Sequence, residues 1–181
     1  MPVLPAELTE LHRSLGLTAD YAQSRGLALQ LEASIDSLVT IAITDDGRAI
    51  QLTPSAAAAW TRLKRAADAA AIQLIPISGF RSIARQTEII RAHLASGRPL
   101  EDILRLVAAP GYSEHHTGRA VDITTPDDSP LDANFALTPA FNWLNNHAIQ
   151  FGFHLSFPKD NPHGIAYVPW HWCWSSSLKT T

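Results

Sequence analysis

Two polar side chains in the segment GYSEHHTGRAVDIT, residues 111–124, are spaced so that they could bind one metal ion. His115 precedes a predicted turn at Thr117–Gly118, and Asp122 follows on a predicted strand, AVDIT. Because the turn folds the chain back, the imidazole and the carboxylate can point to one place. A distant histidine would complete a tetrahedral zinc site with one position open for water. The alternative is a polar loop in which Asp122 caps a helix or forms an ion pair.

The composition predicts one globular domain to carry these residues. The chain has 181 residues, of which 46% are hydrophobic and 17% charged, so it can bury a core and is not wholly disordered. Its formal net charge is −3 without a run of either sign, which argues against a nucleic-acid partner. The single cysteine, Cys173, excludes an internal disulfide.

The hydrophobic patterns predict an α+β fold with a central, mostly antiparallel sheet flanked by helices. Helices are predicted over residues 4–16, 56–71, 82–96, 99–108 and 138–151. Strands are predicted over 27–34, 38–44, 48–53, 72–78, 153–157 and 164–174, with a hairpin turn at 45–47. We expect residues 1–181 to form a single domain, with a chemistry-bearing core over about 70–174 and an N-terminal helix and hairpin over 1–53.

No membrane segment or export signal is visible in the sequence. The apolar runs are far shorter than the ~20 residues that span a bilayer. The N-terminus lacks a basic region followed by an apolar stretch, so a cytoplasmic location is expected for the chain as given. A periplasmic location is expected if an export signal preceded it. The sequence does not predict the oligomeric state.

Three segments together resemble one known family. Ser113, His115, Gly118, Ala120 and Asp122 match Ser-x-His-x-x-Gly-x-Ala-x-Asp, the signature of the zinc D,D-carboxypeptidases and D,D-dipeptidases. These are the VanY-like and VanX-like peptidases of family M15, which are related in fold to the Hedgehog signalling domain. SGFRSIARQ (78–86) resembles the family's Gly-Phe/Tyr-Arg-Ser…Gln segment, and FGFHLSFPKDNPHGIAYVPWHW (151–172) resembles its tail, FGF-x-LSYP…GI-x-YEPWHW. The order and spacing agree over about residues 70–174.

The resemblance implies a role for each matching residue. One Zn²⁺ would be bound by His115, Asp122 and His171. Arg81 would stabilise the developing oxyanion or hold the substrate, Ser113 would hydrogen-bond the substrate's terminal carboxylate, and Gln86 would help to orient the site. The implied substrate is a cell-wall peptide ending in D-Ala-D-Ala. The alternative roles are a surface ion pair for Arg81, a helix cap for Ser113 and a solvated helix position for Gln86.

The aromatic residues beside His171 have two interpretations. Trp170 and Trp172 are expected to lie on the strand face opposite His171, where core packing is favoured over stacking on a substrate. Trp170 remains a candidate substrate contact. Cys173 is expected to be a small buried hydrophobe.

Val168 stands where the family's tail has a glutamate, which is the expected general base. That glutamate takes a proton from the attacking water and delivers it to the leaving amine, and valine cannot do either. A positioned acid–base group contributes ~10²–10⁴ in rate. Glu114 is expected to point away, because neighbours on an extended chain project to opposite sides. Asp160, in a predicted turn, is a weak candidate to replace the base.

Val168 leaves two interpretations of the protein as a whole. Either it is a peptidase with one altered residue, or it is a non-catalytic relative that holds zinc and binds peptidoglycan peptides. The first is favoured because the other site groups are retained. A phage-type wall endopeptidase would share the chemistry, but no wall-binding repeat is visible.

Overall fold

The computed structural model describes residues 4–126 and 128–176. Its helices are α1 (Ala6–Leu15), α2 (Tyr21–Ser24), α3 (Pro54–Ala69), α4 (Ile83–Ala95), α5 (Leu100–Leu104) and α6 (Pro139–His147). Its strands are β1 (Val39–Ile43), β2 (Ala49–Leu52), β3 (Ile75–Ser78), β4 (Ala120–Thr124), β5 (Phe153–Leu155) and β6 (His171–Trp174). Short 3₁₀ helices cover Ile35–Ser37, Glu114–Thr117, Ala133–Leu137 and Ala148–Phe151.

The strands form two antiparallel sheets, which confirms the predicted α+β class. β1 and β2 form a separate hairpin, and the larger sheet has the order β3-β4-β6-β5. In this sheet β4 lies between β3 and β6, and the register pairs Asp122 with His171 across the β4–β6 boundary. Since side chains alternate along a strand, the neighbouring pair Val121 and Trp172 faces the other side.

The main core fills that other side of the sheet. Val121 and Trp172 are at most 2% exposed and belong to one apolar cluster with residues of α3 and α6. From α3 this cluster takes Trp60, whose ring packs edge-on against Phe153 of β5 at 6.4 Å. Burial of these large side chains fixes the sheet from behind, so its opposite face is free to carry polar groups.

A second cluster connects the N-terminal segment to α4 and α5. It includes Leu15 of α1, Tyr21 of α2, Ile90 of α4 and Ile103 of α5, all at most 5% exposed. The Tyr21 hydroxyl also accepts a hydrogen bond from the Ala109 backbone amide at 3.0 Å. The N-terminal helices therefore support the segments that carry the site, although they contain no recognisable motif.

Two predicted strands are wrong in part or whole. Residues 27–34 form no ladder; they make single backbone hydrogen bonds, from Gln30 to Gly111 and from Ala33 to His116. The strand predicted over 164–174 begins only at His171, and the residues before it form turns and irregular backbone. The helix predicted over 138–151 is α6 followed by a 3₁₀ turn, and the Thr138 hydroxyl caps α6 by accepting from the Phe141 amide. Among the described residues, no helix is long and apolar enough to cross a membrane.

Candidate metal centre

The sheet register brings the first two predicted ligands together. Asp122 and His171 are direct partners on adjacent strands, and Asp122 Oδ1 lies 2.9 Å from His171 Nδ1. Both residues are buried. A carboxylate and an imidazole that are 49 positions apart in the sequence are thus placed by backbone pairing, without any loop to hold them.

A tight turn positions the third predicted ligand, His115. It lies in the 3₁₀ helix Glu114–Thr117, which ends at Gly118 in the left-handed conformation with φ of +64°. A Cβ at Gly118 would come within 3.1 Å of Leu38 Cδ2 and Thr53 Cγ2, so the backbone conformation and the space both favour glycine. The chain then enters β4, as the spacing of His115 and Asp122 predicted.

Backbone contacts fix which nitrogen of His115 is free. Nδ1 lies 2.7 Å from the Gly79 carbonyl oxygen, which only accepts, so Nδ1 carries the proton and donates. The Nε2 lone pair then faces Asp122 Oδ2 at 3.2 Å, and this buried nitrogen makes no hydrogen bond. Burial, reinforced by the charge of Arg81, lowers the pKa of His115 to about 4, so the ring is neutral and able to bind a metal.

The three residues meet the requirements of a metal site. Ligand atoms of His115, Asp122 and His171 all lie within 4.8 Å of one another, and all three residues are buried. Two imidazoles and one carboxylate suit Zn²⁺, and three protein ligands leave one position open. The unpaired Nε2 of His115 is a buried polar atom that a metal ion would satisfy.

The sequence predicted that Glu114 points away from the site, and this prediction is wrong. Its Oε2 lies 2.9 Å from His171 Nε2, and it lines the same cavity as the three ligands. Burial raises the pKa of Glu114, but the hydrogen bond and charge of His171 outweigh it and lower the pKa to about 2. Burial lowers the pKa of His171, yet hydrogen bonds to Asp122 and Glu114 raise it to about 9 in the metal-free chain. The expectation failed because residue 114 belongs to a 3₁₀ turn, where alternation does not apply.

Half-buried Arg81 and buried Gln86 form a hydrogen-bonded pair at the edge of the site. Arg81 Nη2 donates to Asp122 Oδ2 at 3.0 Å, and its Nη1 donates to Gln86 Oε1 at 3.2 Å. Gln86 is 1% exposed, and its amide nitrogen donates to the Ala108 carbonyl at 2.7 Å. Neither residue is a solvated surface group. Gln86 is held at both ends and therefore orients Arg81, whose buried Nε has no hydrogen-bond partner.

His116 has a structural role that the sequence did not reveal. Its Nδ1 donates to the Arg81 carbonyl oxygen at 2.7 Å, and its Nε2 accepts from the Gly111 amide at 3.0 Å. The ring is completely buried. It joins the loop that carries Arg81 to the segment that carries His115. The signature identified His115 as the predicted ligand, but nothing in it indicated that the neighbouring His116 supports the loop.

A cavity of about 280 Å³ opens onto the ligands. Its wall includes the predicted site residues Ser113, Val168 and Trp170 and the apolar side chains of Phe157 and Ile165. Val168 is 3% exposed, and the Phe157 ring packs against His171 with centroids 5.4 Å apart. Asp160 is exposed and does not line this cavity. In the described part of the chain, then, no carboxylate occupies the wall formed by Val168.

Trp170, Trp172 and Cys173 occupy three different environments. Trp172 lies in the main core, as expected. Trp170 precedes β6 in a turn, packs against that core and also lines the cavity. Cys173 is buried, and burial raises the pKa of its thiol. Only Trp170 of the three is placed to contact a ligand.

A family comparison agrees with this geometry. The family model for VanY, D-alanyl-D-alanine carboxypeptidase, matches residues 49–177. The bifunctional D-Ala-D-Ala dipeptidase and D-Ala-D-Ala carboxypeptidase VanXYC of Enterococcus gallinarum is 31% identical over 128 residues, 67% of this chain and 66% of that protein. The chain covers less than two thirds of the curated relatives that it matches, from 19% to 66% of their lengths.

Solved structures share the fold. The LdcB LD-carboxypeptidase superposes with a TM-score of 0.68 at 28% identity, covering 80% of this chain and 70% of that one. A vancomycin-resistance D,D-pentapeptidase VanY variant, described in complex with Zn(II), superposes with a TM-score of 0.61 at 24% identity, covering 83% and 87%. Since the match extends over most of the sequence, including the segments that carry His115, Asp122 and His171, the chain belongs to the VanY family of D-alanyl-D-alanine carboxypeptidases.

Proposed function

We propose that this chain holds one Zn²⁺ on His115, Asp122 and His171 and binds cell-wall peptides that end in D-Ala-D-Ala, with hydrolysis slowed by Val168. The observation that carries the proposal is the convergence of three buried ligand atoms within 4.8 Å, with His115 Nε2 otherwise unpaired. The VanY neighbour described with Zn(II) and the D-Ala-D-Ala activities in the name of VanXYC support the metal and the substrate class. Zinc at this position would supply a Lewis acid that polarises a peptide carbonyl.

The cavity residues can be given roles in peptide binding. The Arg81 side chain is 19% exposed, hydrogen-bonded to Gln86 and adjacent to the proposed metal ligands. Its guanidinium therefore suits a carbonyl oxygen that gains negative charge or a terminal carboxylate. Ser113 lines the same cavity and can donate its hydroxyl to that carboxylate. Trp170 offers an apolar surface to the alanine methyl groups. A cavity of about 280 Å³ suits the end of a peptide better than its whole length.

With valine at position 168, this arrangement lacks the expected proton acceptor. Its backbone carbonyl accepts from the His171 amide at 3.1 Å, so position 168 is tied to the last metal ligand by a turn. A carboxylate there would lie in the cavity beside the reacting peptide; the valine side chain instead extends the apolar wall. The expected loss of rate is ~10²–10⁴, or roughly 3–5 kcal/mol in activation free energy.

Restoring the base tests the proposal directly. We expect Val168→Glu to raise zinc-dependent release of D-alanine, from D-Ala-D-Ala or from a pentapeptide ending in it, by ~10²–10⁴-fold. Val168→Gln is the matched control, since the amide has the same shape but cannot accept a proton, and it should not raise the rate. If Val168→Glu binds zinc and still releases no D-alanine, the peptidase assignment is wrong.

A non-hydrolytic binding protein is the second candidate function. It is favoured by the burial of Val168, which is 3% exposed and completes an apolar wall. This candidate predicts calorimetric affinity of the unaltered chain for D-Ala-D-Ala peptides and no gain of turnover in Val168→Glu. Absence of any heat of binding with the zinc-loaded chain would eliminate it.

A further inference from the structure

His171 is held at both ring nitrogens by carboxylates. Nδ1 lies 2.9 Å from Asp122 Oδ1, and Nε2 lies 2.9 Å from Glu114 Oε2. The ring also packs against Phe157 on one side and contacts the His115 ring edge-on, with centroids 4.9 Å apart. Its orientation is thus fixed by four neighbours, and each nitrogen has one assigned direction.

Only Nδ1 faces the other two ligands. Asp122 uses one oxygen near His171 Nδ1 and the other near His115 Nε2, so these atoms surround one point. A metal ion at that point would take His171 through Nδ1. Nε2 lies on the opposite side of the ring and must then carry the proton, because a neutral imidazole has one donor and one acceptor nitrogen.

We propose that Glu114 is a positioning residue that accepts the Nε2–H of His171 and so fixes the tautomer in which Nδ1 binds the metal. The proposal rests on the zinc site proposed above. A carboxylate on the far nitrogen of a ligating histidine orients the ring and makes it a better ligand. Glu114 immediately precedes His115, so one short 3₁₀ helix supplies one ligand and orients another.

The same geometry separates Glu114 from the missing base. Its carboxylate contacts Nε2 of His171, on the other side of the ring from the Nδ1 that faces Asp122, whereas a general base must reach the attacking water. Glu114 is therefore engaged with His171 and does not replace the general base that valine at position 168 cannot provide.

Zinc affinity of the unaltered chain and three variants, measured by competition with a chelating dye, tests this role without any peptidase assay. We expect Glu114→Ala to weaken zinc binding about 10–100-fold. Glu114→Gln should bind within about threefold of the unaltered chain, since its amide oxygen can accept the same hydrogen bond. Glu88→Ala removes an exposed carboxylate that pairs with Arg85 on α4, and it should change nothing.

Two spectra complete the experiment. In the zinc-loaded chain, ring ¹⁵N correlations of His171 should show a proton on Nε2 and the metal on Nδ1. The Co²⁺-substituted absorption spectrum should keep the same coordination number in Glu114→Gln, because Glu114 is not itself a ligand. Circular dichroism of each variant confirms that it is folded.

The outcomes are distinct. Equal zinc affinity in Glu114→Ala and the unaltered chain overturns the role of Glu114 and leaves the proposed function standing. Gln and Ala variants that weaken zinc equally would show that the carboxylate acts through its charge alone and not through tautomer control, which also overturns the proposal. A changed Co²⁺ coordination number would make Glu114 a ligand instead. No zinc binding by the unaltered chain would overturn both proposals.

Discussion

The two walls of one cavity differ in how they are built. The ligand wall is formed by the three predicted metal ligands, and each of them is held by a neighbour: His115 by Gly79, His171 by Glu114, and Asp122 by Arg81. Val168 and Ile165 form an apolar wall of the same cavity, because their side chains contain only carbon. The proposed metal site and the proposed loss of the general base therefore involve different residues, so each can be tested separately.

The largest difference between the two walls is expected in zinc affinity, when one residue of each wall is replaced by alanine. We expect His171→Ala to weaken zinc binding by about 10²–10³-fold, since it removes one ligand's share of a total binding free energy of roughly 10–16 kcal/mol. Val168→Ala should leave zinc affinity within about threefold. Comparable losses in both variants, measured by chelator competition, would mean that the walls are not independent.

Protonation of His171 should make the thermal stability of the chain depend on pH when the metal is removed. The pKa of His171 is raised to about 9 in the metal-free chain, so its contribution to stability is complete below pH 6.5 and is lost as the pH rises through 9. The lowered pKa values of His115 and Glu114 change the stability only below pH 6.5, so these two groups do not contribute to the change between pH 6.5 and 9. With a chelator present, we expect the Tm to fall by about 5 °C between pH 6.5 and 9. A flat profile in His171→Ala is the control, and a Tm that rises over this range would contradict the assignment.

The support behind the ligand wall can be disturbed without touching a ligand. A Cβ at Gly79 would lie 2.5 Å from the Gln51 carbonyl oxygen, so Gly79→Ala must shift the backbone whose carbonyl holds His115. We expect a loss of about 1–3 kcal/mol in unfolding free energy together with weaker zinc binding. Gly47→Ala meets nothing within 4 Å and should cost only about 1 kcal/mol of backbone strain, with zinc affinity unchanged. Unchanged zinc affinity in Gly79→Ala would show that the Gly79 carbonyl does not position His115.

The smallest effect is expected from a polar atom placed on the apolar wall. Val168→Thr keeps the shape and buries a hydroxyl among carbon atoms, at about 1–2 kcal/mol in unfolding free energy. Because a hydroxyl is not a base, D-alanine release should stay at the level of the unaltered chain. A gain comparable to that of Val168→Glu would mean that polarity, not proton acceptance, is what this wall lacks.

The sequence predicted the parts of the site that depend on strand periodicity. Asp122 and His171 share one sheet face, opposite Val121 and Trp172, as alternation requires. It failed for Glu114, because the 3₁₀ geometry of residues 114–117 is set by tertiary contacts that a local pattern does not contain. The apolar alternation of residues 27–34 likewise predicted a strand, but within the described ranges 4–126 and 128–176 this segment pairs with no strand and makes single backbone hydrogen bonds to Gly111 and His116. Local periodicity predicts which side chains share one face of a strand, whereas the three-dimensional fold determines which segments pair.

The position of β6 has a consequence for biosynthesis. This strand comes last among the described strands in chain order, yet it lies inside the sheet between β4 and β5. During translation, β4 and β5 therefore emerge from the ribosome before the strand that joins them exists. Because His171 is the first residue of that strand, the proposed zinc site cannot be complete until the polypeptide has been made through Trp174, and metal loading would be a late step of biosynthesis.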